Sequence, residues 1–133
     1  MKYFILLLSL HLCAEDSPKT ATGLPTLLDL GSTKCKQCKD LAPILASLTT
    51  EFAGRMQVQV VDVNANAAGM QLAQKWKIEM IPTQIFIDSQ GRELRRHVGF
   101  ITRKDILAQW ENLGIVFAPI SATSAAIQSS GKP

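Results

Sequence analysis

Two hydrophobic periodicities alternate along the chain and divide it into predicted strands and helices. An apolar run at 25–30 begins with a proline, which a strand tolerates at its first position, so we predict a strand there. Between Cys35 and Phe52 the apolar residues recur every three or four positions, which predicts an amphipathic helix with a kink at Pro43. The alternating, valine-rich stretch 56–63 predicts a second strand.

The second half of the chain predicts four more elements. Residues 64–76 predict a loop and a short helix, and residues 83–88 predict a strand. A tight turn leads into a return strand at 92–100, and Thr102 with Asp105 forms a capping signal for the last helix. We expect the buried faces of these two helices to be Met70, Leu72, Ala73 and Trp76 in the first, and Ile106, Leu107, Trp110 and Leu113 in the second.

The order of these elements predicts the fold class. A strand–helix–strand connection makes the first two strands parallel, and the hairpin adds an antiparallel strand. The predicted class is α/β, with a small mixed four-stranded sheet and helices on both of its faces. We predict one domain at 25–117, a linker at 15–24 before it, and a flexible tail of small and polar residues at 118–133.

The first residues, 1–14, have the layout of a secretory signal peptide. Lys2 precedes an apolar run from Tyr3 to Leu12, and Ala14 is a small residue at which a signal peptidase can cut. The run is shorter than the about 20 residues of a membrane-spanning helix. The alternatives are a first core element and a lipoprotein cut before Cys13. We therefore expect an exported protein, from which Cys13 leaves with the signal.

Composition and charge exclude two broad classes of protein. The chain is 47% hydrophobic and 19% charged, which is enough apolar surface for a packed core and excludes global disorder. Its formal net charge is +3, and no run of Lys and Arg is longer than two residues. We therefore expect no nucleic-acid partner.

Cys35 and Cys38 are the cysteines that remain in the expected mature domain, and two residues separate them. A disulfide that closes so short a loop removes little chain entropy, so a structural role explains the pair poorly. Cys35 falls at the start of the predicted helix, where free backbone N–H groups and the helix dipole stabilise a thiolate. Lys34, Lys36 and Lys39 add positive charge nearby. The pattern indicates a reversible dithiol, in which Cys38 resolves a mixed disulfide formed on Cys35.

Metal binding is the main alternative for two cysteines at this spacing. A structural zinc site takes four ligands, and only His97 would accompany the two cysteines in the mature domain. A c-type haem needs a histidine directly after the second cysteine, where this chain has Lys39. A Cu(I) ion can be held by two thiolates alone, so a periplasmic Cu(I) carrier is the alternative function. Our prediction is a site without metal or separate cofactor, since the dithiol itself carries the electrons.

The wider pattern around the cysteines resembles the thioredoxin superfamily, and in particular exported bacterial thioredoxin-like thiol–disulfide oxidoreductases. Asp29 lies six residues before Cys35, and Pro43 lies eight residues after it. The motifs "IPT" at 81–83 and "VGF" at 98–100 follow in the family's order, with the hairpin glycine between them. The resemblance covers most of the predicted domain and implies a thioredoxin-like fold.

The resemblance also implies a role for each of these residues. Cys35 is the expected nucleophile and Cys38 the resolving cysteine, while Asp29 is expected to move the proton of the second thiol. The residues expected to hold the substrate backbone, beside a cis-proline, are Ile81, Pro82, Thr83 and Gly99. The expected partners are protein disulfide substrates, with a membrane thiol-electron transporter as candidate reductant. The expected location is the bacterial periplasm.

The chain also departs from thioredoxin. Lys34 stands where thioredoxin has Trp, and Lys36 and Gln37 replace the Gly-Pro pair between the cysteines. Because the intervening residues tune the redox potential, the sequence leaves open whether the protein reduces, oxidises or isomerises disulfides. The N-terminal strand and helix of full-length thioredoxins are missing or vestigial. A redox-inert binding protein is a further alternative, against which the intact cysteine pair, acid and proline argue.

Overall fold

The structure is a computed structural model and describes residues 23–118. In chain order its elements are β1 (Thr26–Gly31), α1 (Lys36–Glu51), β2 (Gln57–Asp62), α2 (Ala67–Lys75), β3 (Thr83–Ile87), β4 (Glu93–Val98) and α3 (Arg103–Asn112). The predicted signal peptide at 1–14, the linker up to residue 22 and the tail from residue 119 lie outside the described residues. Within 23–118, no helix has the length and apolar content that crossing a membrane requires.

The four strands form one mixed sheet with the order β2-β1-β3-β4. β1 runs parallel to β2 and antiparallel to β3, and β3 runs antiparallel to β4. The predicted α/β class and the mixed four-stranded sheet are therefore confirmed. The register places Asp29 opposite Val60 on one side and opposite Gln84 on the other. Directly paired residues share a face of the sheet, so these three side chains lie on the same face.

Helices cover both faces of the sheet, because side chains alternate between the faces along each buried strand. On one face, Leu27 and Phe86 pack against α1 and α3, whose contributions are Leu41, Leu45, Leu48, Ile106 and Trp110. On the other face, Leu28, Leu30, Ile85 and Ile87 pack against Leu72, Ala73 and Trp76. The helices on both faces agree with the prediction, as does the burial of Trp110.

The prediction that Met70 is buried is wrong, since its side chain is 54% exposed. The residue that meets the sheet at this point is its buried neighbour Gly69. A Cβ atom on Gly69 would overlap the backbone carbonyl oxygen of Asp62, so only glycine allows α2 to approach the end of β2 this closely. Because successive residues point in different directions around a helix, Met70 turns outward.

Of two further local features, one differs from the predicted pattern and the other agrees with it. The return strand ends at Val98 rather than at residue 100, because Gly99 takes a positive φ of 97°, which breaks the extended backbone. Pro43 lies inside α1, which continues through it to Glu51. The proline has no N–H to donate to the carbonyl of Lys39, so one helical hydrogen bond is missing there.

Candidate active site

Cys35 is the residue immediately before α1, and its sulfur faces the first turn of the helix. As the N-cap it has an extended backbone, and its Sγ accepts a hydrogen bond from the backbone N–H of Cys38 at 3.3 Å. Its own N–H donates to the Ser32 carbonyl at 3.1 Å, which closes the preceding turn. Cys35 is partly exposed. Its sulfur is therefore accessible and lies where the unpaired N–H groups of a helix favour an anion.

Cys38 lies one turn further along α1 and is buried, with 9% of its surface exposed. Both cysteines are free thiols. Burial, followed by the hydrogen bond with Cys35, raises the pKa of the Cys38 thiol to about 11. At neutral pH Cys38 therefore keeps its proton. The structure brings the two predicted cysteines together as an unequal pair, in which one sulfur meets the solvent and the other is buried and protonated.

Asp29 lies in the middle of β1 and is 2% exposed. Its carboxyl group lies close to Cys38, and the space between them is left free by Gly31. A Cβ atom on Gly31 would lie 3.1 Å from the Cys38 Sγ and 3.4 Å from the Asp29 Oδ2. Burial raises the pKa of Asp29, and a hydrogen bond from the Gln84 side chain partly offsets this by lowering it. The predicted acid is thus a buried carboxyl beside the buried thiol.

Two residues of this arrangement were missed by sequence reasoning. Gly31 keeps the space between Asp29 and Cys38 open, and the signal for it is a glycine at the point where the strand leads into the cysteine loop. Gln84 donates from Nε2 to the Asp29 Oδ1 at 2.9 Å. Its signal is an amide in β3 that directly precedes the apolar run "IFI".

A cleft of about 140 Å³ opens beside these groups. Asp29 and Cys38 contribute to its wall, together with Val60 of β2. Val60 is 59% exposed, so this side of the cleft is open to solvent. Water therefore has a route to the buried carboxyl and thiol without passing Cys35.

Asp62, at the end of β2, anchors the loop that carries the cysteines and was also missed. Its Oδ2 accepts from the Thr33 N–H at 3.0 Å and from the Thr33 Oγ1 at 2.9 Å, while its Oδ1 accepts from the Asn64 N–H at 2.8 Å. The hydrogen bonds from the backbone N–H groups of Thr33 and Asn64 are the largest causes that lower the pKa of Asp62. The loop before Cys35 is thus tied to the neighbouring strand.

The "IPT" motif lies at the start of β3, and the peptide bond between Ile81 and Pro82 is cis. The Pro82 carbonyl accepts a hydrogen bond from the Gly99 N–H at 2.8 Å, which joins this loop to the end of β4. A Cβ atom on Gly99 would lie 4.0 Å from the Oε1 of Gln37, the second residue between the cysteines. The fold therefore brings the cysteine turn, Pro82 and Gly99 to the same edge of the molecule.

The three lysines around the cysteines are exposed, but they differ in their partners. Lys36 Nζ forms an ion pair with Asp40 Oδ2 at 2.8 Å, and the hydrogen bond to Asp40 raises the pKa of Lys36. Part of the positive charge of Lys36 is thus offset by Asp40. Lys39 lies at the wall of the cleft beside Asp29 and Cys38, and Lys34 lies in the loop before Cys35.

Comparison with known proteins agrees with this geometry. The family model "Thioredoxin" matches residues 20–112, which is more than half of the chain. The chain belongs to the thioredoxin family. Thioredoxin from Staphylococcus aureus (strain Mu50 / ATCC 700699) is 29% identical over 93 residues, which cover 70% of this chain and 85% of that protein. Thioredoxin from strain MW2 of the same species gives the same figures.

Solved structures show the same fold. A structure described as that of a malarial protein matches with a TM-score of 0.60 and 21% identity, over 67% of this chain and 96% of that one. The germline-specific thioredoxin Deadhead from Drosophila melanogaster matches with a TM-score of 0.58 and 23% identity, over 68% of this chain and 82% of that one. Membership of the thioredoxin family, with the close cysteine pair, makes the protein a thiol–disulfide oxidoreductase.

Proposed function

We propose that this thioredoxin-family protein is an exported protein-disulfide reductase, with Cys35 as nucleophile and Cys38 as resolving thiol. The observation that carries the proposal is the inequality of the pair. Cys35 is partly exposed at the N-terminus of α1, whereas Cys38 is buried with a pKa of about 11. Since the thiolate is the attacking species, the accessible sulfur acts first and the buried one acts second.

The first step joins Cys35 to the partner protein. The Cys35 thiolate attacks one sulfur of the partner's disulfide, and that S–S bond breaks. The other partner sulfur leaves as a thiolate and takes a proton from water. A mixed disulfide now links Cys35 to the partner.

The second step releases the partner. Cys38 passes its proton to the carboxylate of Asp29 and attacks the Cys35 sulfur. The mixed disulfide breaks, the second partner thiolate leaves, and the two electrons of the dithiol have reduced the partner. The protein is left with a Cys35–Cys38 disulfide, which an external dithiol reduces by the same steps in reverse. Support for this transfer comes from Gly31, since a Cβ atom there would lie 3.1 Å from the Cys38 Sγ and 3.4 Å from the Asp29 Oδ2.

The partner's backbone would dock along the loop of Ile81, Pro82 and Thr83 and across Gly99. Support for this comes from the edge that these residues share with the cysteine turn. Three large apolar side chains on this part of the surface are exposed, namely Met80, Val98 and Phe100. Exposed apolar side chains beside a reactive group are typical of a surface that binds another protein.

The lysines would tune the reactivity of the Cys35 sulfur. Positive charge near a thiolate stabilises it, although exposure to water and salt weakens the effect. Because Asp40 offsets part of the charge of Lys36, Lys34 and Lys39 would contribute more to this effect.

Export and the electron source rest on sequence arguments. The signal-like residues 1–14 support export, and the resemblance of the sequence motifs to exported bacterial thioredoxin-like proteins supports a membrane thiol-electron transporter as the reductant. Protein disulfides are the proposed substrates, without nucleic acid as a partner. We expect the mature N-terminus at Ala14 or Glu15, and mass spectrometry that finds Met1 on the purified native protein would contradict export.

Trapping of mixed disulfides tests the assignment of the two cysteines. In a background with Cys13→Ser, the Cys38→Ser variant should trap partner proteins on Cys35, and the matched Cys35→Ser variant should not. The unmodified pair should reduce insulin with dithiothreitol as the electron source. Trapping by the wrong variant would overturn the assignment. Stoichiometric copper in anaerobically purified protein, without disulfide reduction, would overturn the reductase proposal in favour of Cu(I) carriage.

A further inference from the structure

Gln84 is a fully buried amide in the central part of the sheet, with no exposed surface. It lies on the same face of the sheet as Asp29 and Phe86, and Phe86 belongs to the apolar core on that face. Burying an amide is unfavourable unless its hydrogen bonds are made within the protein. An apolar residue would fill this position at less cost, so the amide calls for an explanation.

Of the two ends of the Gln84 amide, only the nitrogen makes a side-chain hydrogen bond within residues 23–118. Its Nε2 donates to the Asp29 Oδ1 at 2.9 Å. Its Oε1 is buried and has no hydrogen-bond partner among residues 23–118. An amide has donors at one end and an acceptor at the other, and a half-turn about its last side-chain bond exchanges them. The unpaired acceptor is thus the Gln84 Oε1. Its neighbour Asp29 becomes a hydrogen-bond donor when its carboxylate takes up a proton.

We propose that Gln84 is the positioning residue for proton transfer by Asp29. When Asp29 is a carboxylate, the Gln84 amide donates a hydrogen bond to it. When Asp29 is protonated, the amide makes a half-turn and its oxygen accepts a hydrogen bond from the carboxyl O–H. This inference rests on the proposed function, in which Asp29 takes the proton of Cys38. The proton moves from the Cys38 sulfur to an Asp29 oxygen, and Gln84 neither gains nor loses one. The amide keeps the carboxyl oriented in both protonation states.

Among residues 23–118, few other titratable or charged groups lie beside Asp29. α1 contributes Cys38 and Lys39 to the same cleft, and the end of β2 contributes Asp62. Lys39 is exposed, and the two oxygens of Asp62 accept hydrogen bonds from the Thr33 N–H of the cysteine loop and from the Asn64 N–H. From β3 the group bonded to Asp29 is the uncharged amide of Gln84. Burial raises the pKa of Asp29 while Gln84 lowers it, so Gln84 favours the ionised form that can accept the proton of Cys38.

The test is the titration of Asp29 in the reduced protein, followed by ¹³C NMR of its carboxyl carbon. The signal is identified by its loss in Asp29→Asn. In Gln84→Met, which has a similar length but neither donor nor acceptor, the midpoint should rise by about one pH unit, because the hydrogen bond to the charged carboxylate is the stronger of the two hydrogen bonds that are lost. The inflection in the pH profile of disulfide reduction should move in the same direction. The matched control is Thr26→Val, a buried polar residue of β1 that leaves the midpoint unchanged.

A measurement on the unaltered protein covers the case in which Gln84→Met fails to fold. The side-chain NH₂ signals of Gln84 should change with pH at the same midpoint as the Asp29 carboxyl carbon. Gln84 signals that stay constant through the Asp29 titration, or an unchanged midpoint in folded Gln84→Met, would overturn the inference. Neither measurement needs turnover. A shifted midpoint in a protein that reduces no disulfide refutes the proposed function alone, and reduction with an unshifted midpoint refutes the inference alone.

Discussion

Cys38 should react with a disulfide reagent much more slowly than Cys35, and single-cysteine variants can measure this difference. The perturbation is the removal of one thiol at a time, by Cys38→Ser and Cys35→Ser, with Cys13→Ser in both. Cys38 is 9% exposed and its pKa is about 11, with burial as the largest cause. Burial remains when Cys35 is replaced, so most of the effect should persist in the variant that keeps Cys38 alone.

The expected magnitude follows from the fraction of thiolate. At pH 7.5 a thiol with a pKa of about 11 is ionised in about 1 molecule in 3,000. An ordinary thiol, with a pKa of about 8.5, is ionised in about 1 in 10, so the difference is about 300-fold. The more basic thiolate is intrinsically more nucleophilic by roughly 13-fold, for a Brønsted coefficient of about 0.45. The net expectation is that Cys38 reacts about 20-fold more slowly than an ordinary exposed thiol, before the hindrance of its burial.

Stopped-flow reaction with 4,4′-dithiodipyridine between pH 6 and pH 10 measures both rates. The rate of Cys38 should rise about tenfold per pH unit across most of this range, since its thiolate fraction does so below its pKa. The same variants in denaturing guanidinium chloride are the control, and there the two thiols should react at similar rates. Equal rates in the folded variants at pH 7.5, or a Cys38 rate that levels off below pH 9, would refute the reasoning.

Two further predictions concern the carboxyl groups of the site. Asp29→Asn should leave stability unchanged near pH 4 and raise it at pH 8, because a carboxyl whose pKa is raised by burial destabilises the folded state as it ionises. Chemical unfolding of the two proteins across this pH range should show a gain of about 1.4 kcal/mol for each unit by which the pKa of Asp29 is raised, and a loss of stability at pH 8 would contradict it. Asp62→Ala should free the loop before Cys35, so that the Thr33 amide exchanges its hydrogen on the order of tenfold faster at pH 7. In the unaltered protein the Thr33 amide signal should shift only below about pH 3.8, where Asp62 with its lowered pKa takes up a proton, and a shift near neutral pH would argue against the anchor.

The amino-acid sequence by itself determined the elements, their order and the reactive pair. Hydrophobic periodicity is a local property, and it predicted the strands around Asp29 and Val60 and the helix that follows Cys35. The fold class followed, because a strand–helix–strand unit and a hairpin allow few arrangements. The spacing of Asp29, the cysteines and the "IPT" motif pointed to the family, to which the chain belongs.

Only the tertiary structure decided which residues meet. Gln84 lies 55 positions from Asp29 along the chain, and the antiparallel register of β1 and β3 places them opposite each other. Asp62 and Thr33 are 29 positions apart in the sequence and form a hydrogen bond, because the parallel strands β1 and β2 end side by side. Met70 was predicted on the wrong face, since the close approach of Gly69 to the end of β2 sets the rotation of α2. Periodicity along one element cannot specify these contacts, because register and close approach depend on pairs of elements that are distant in the sequence.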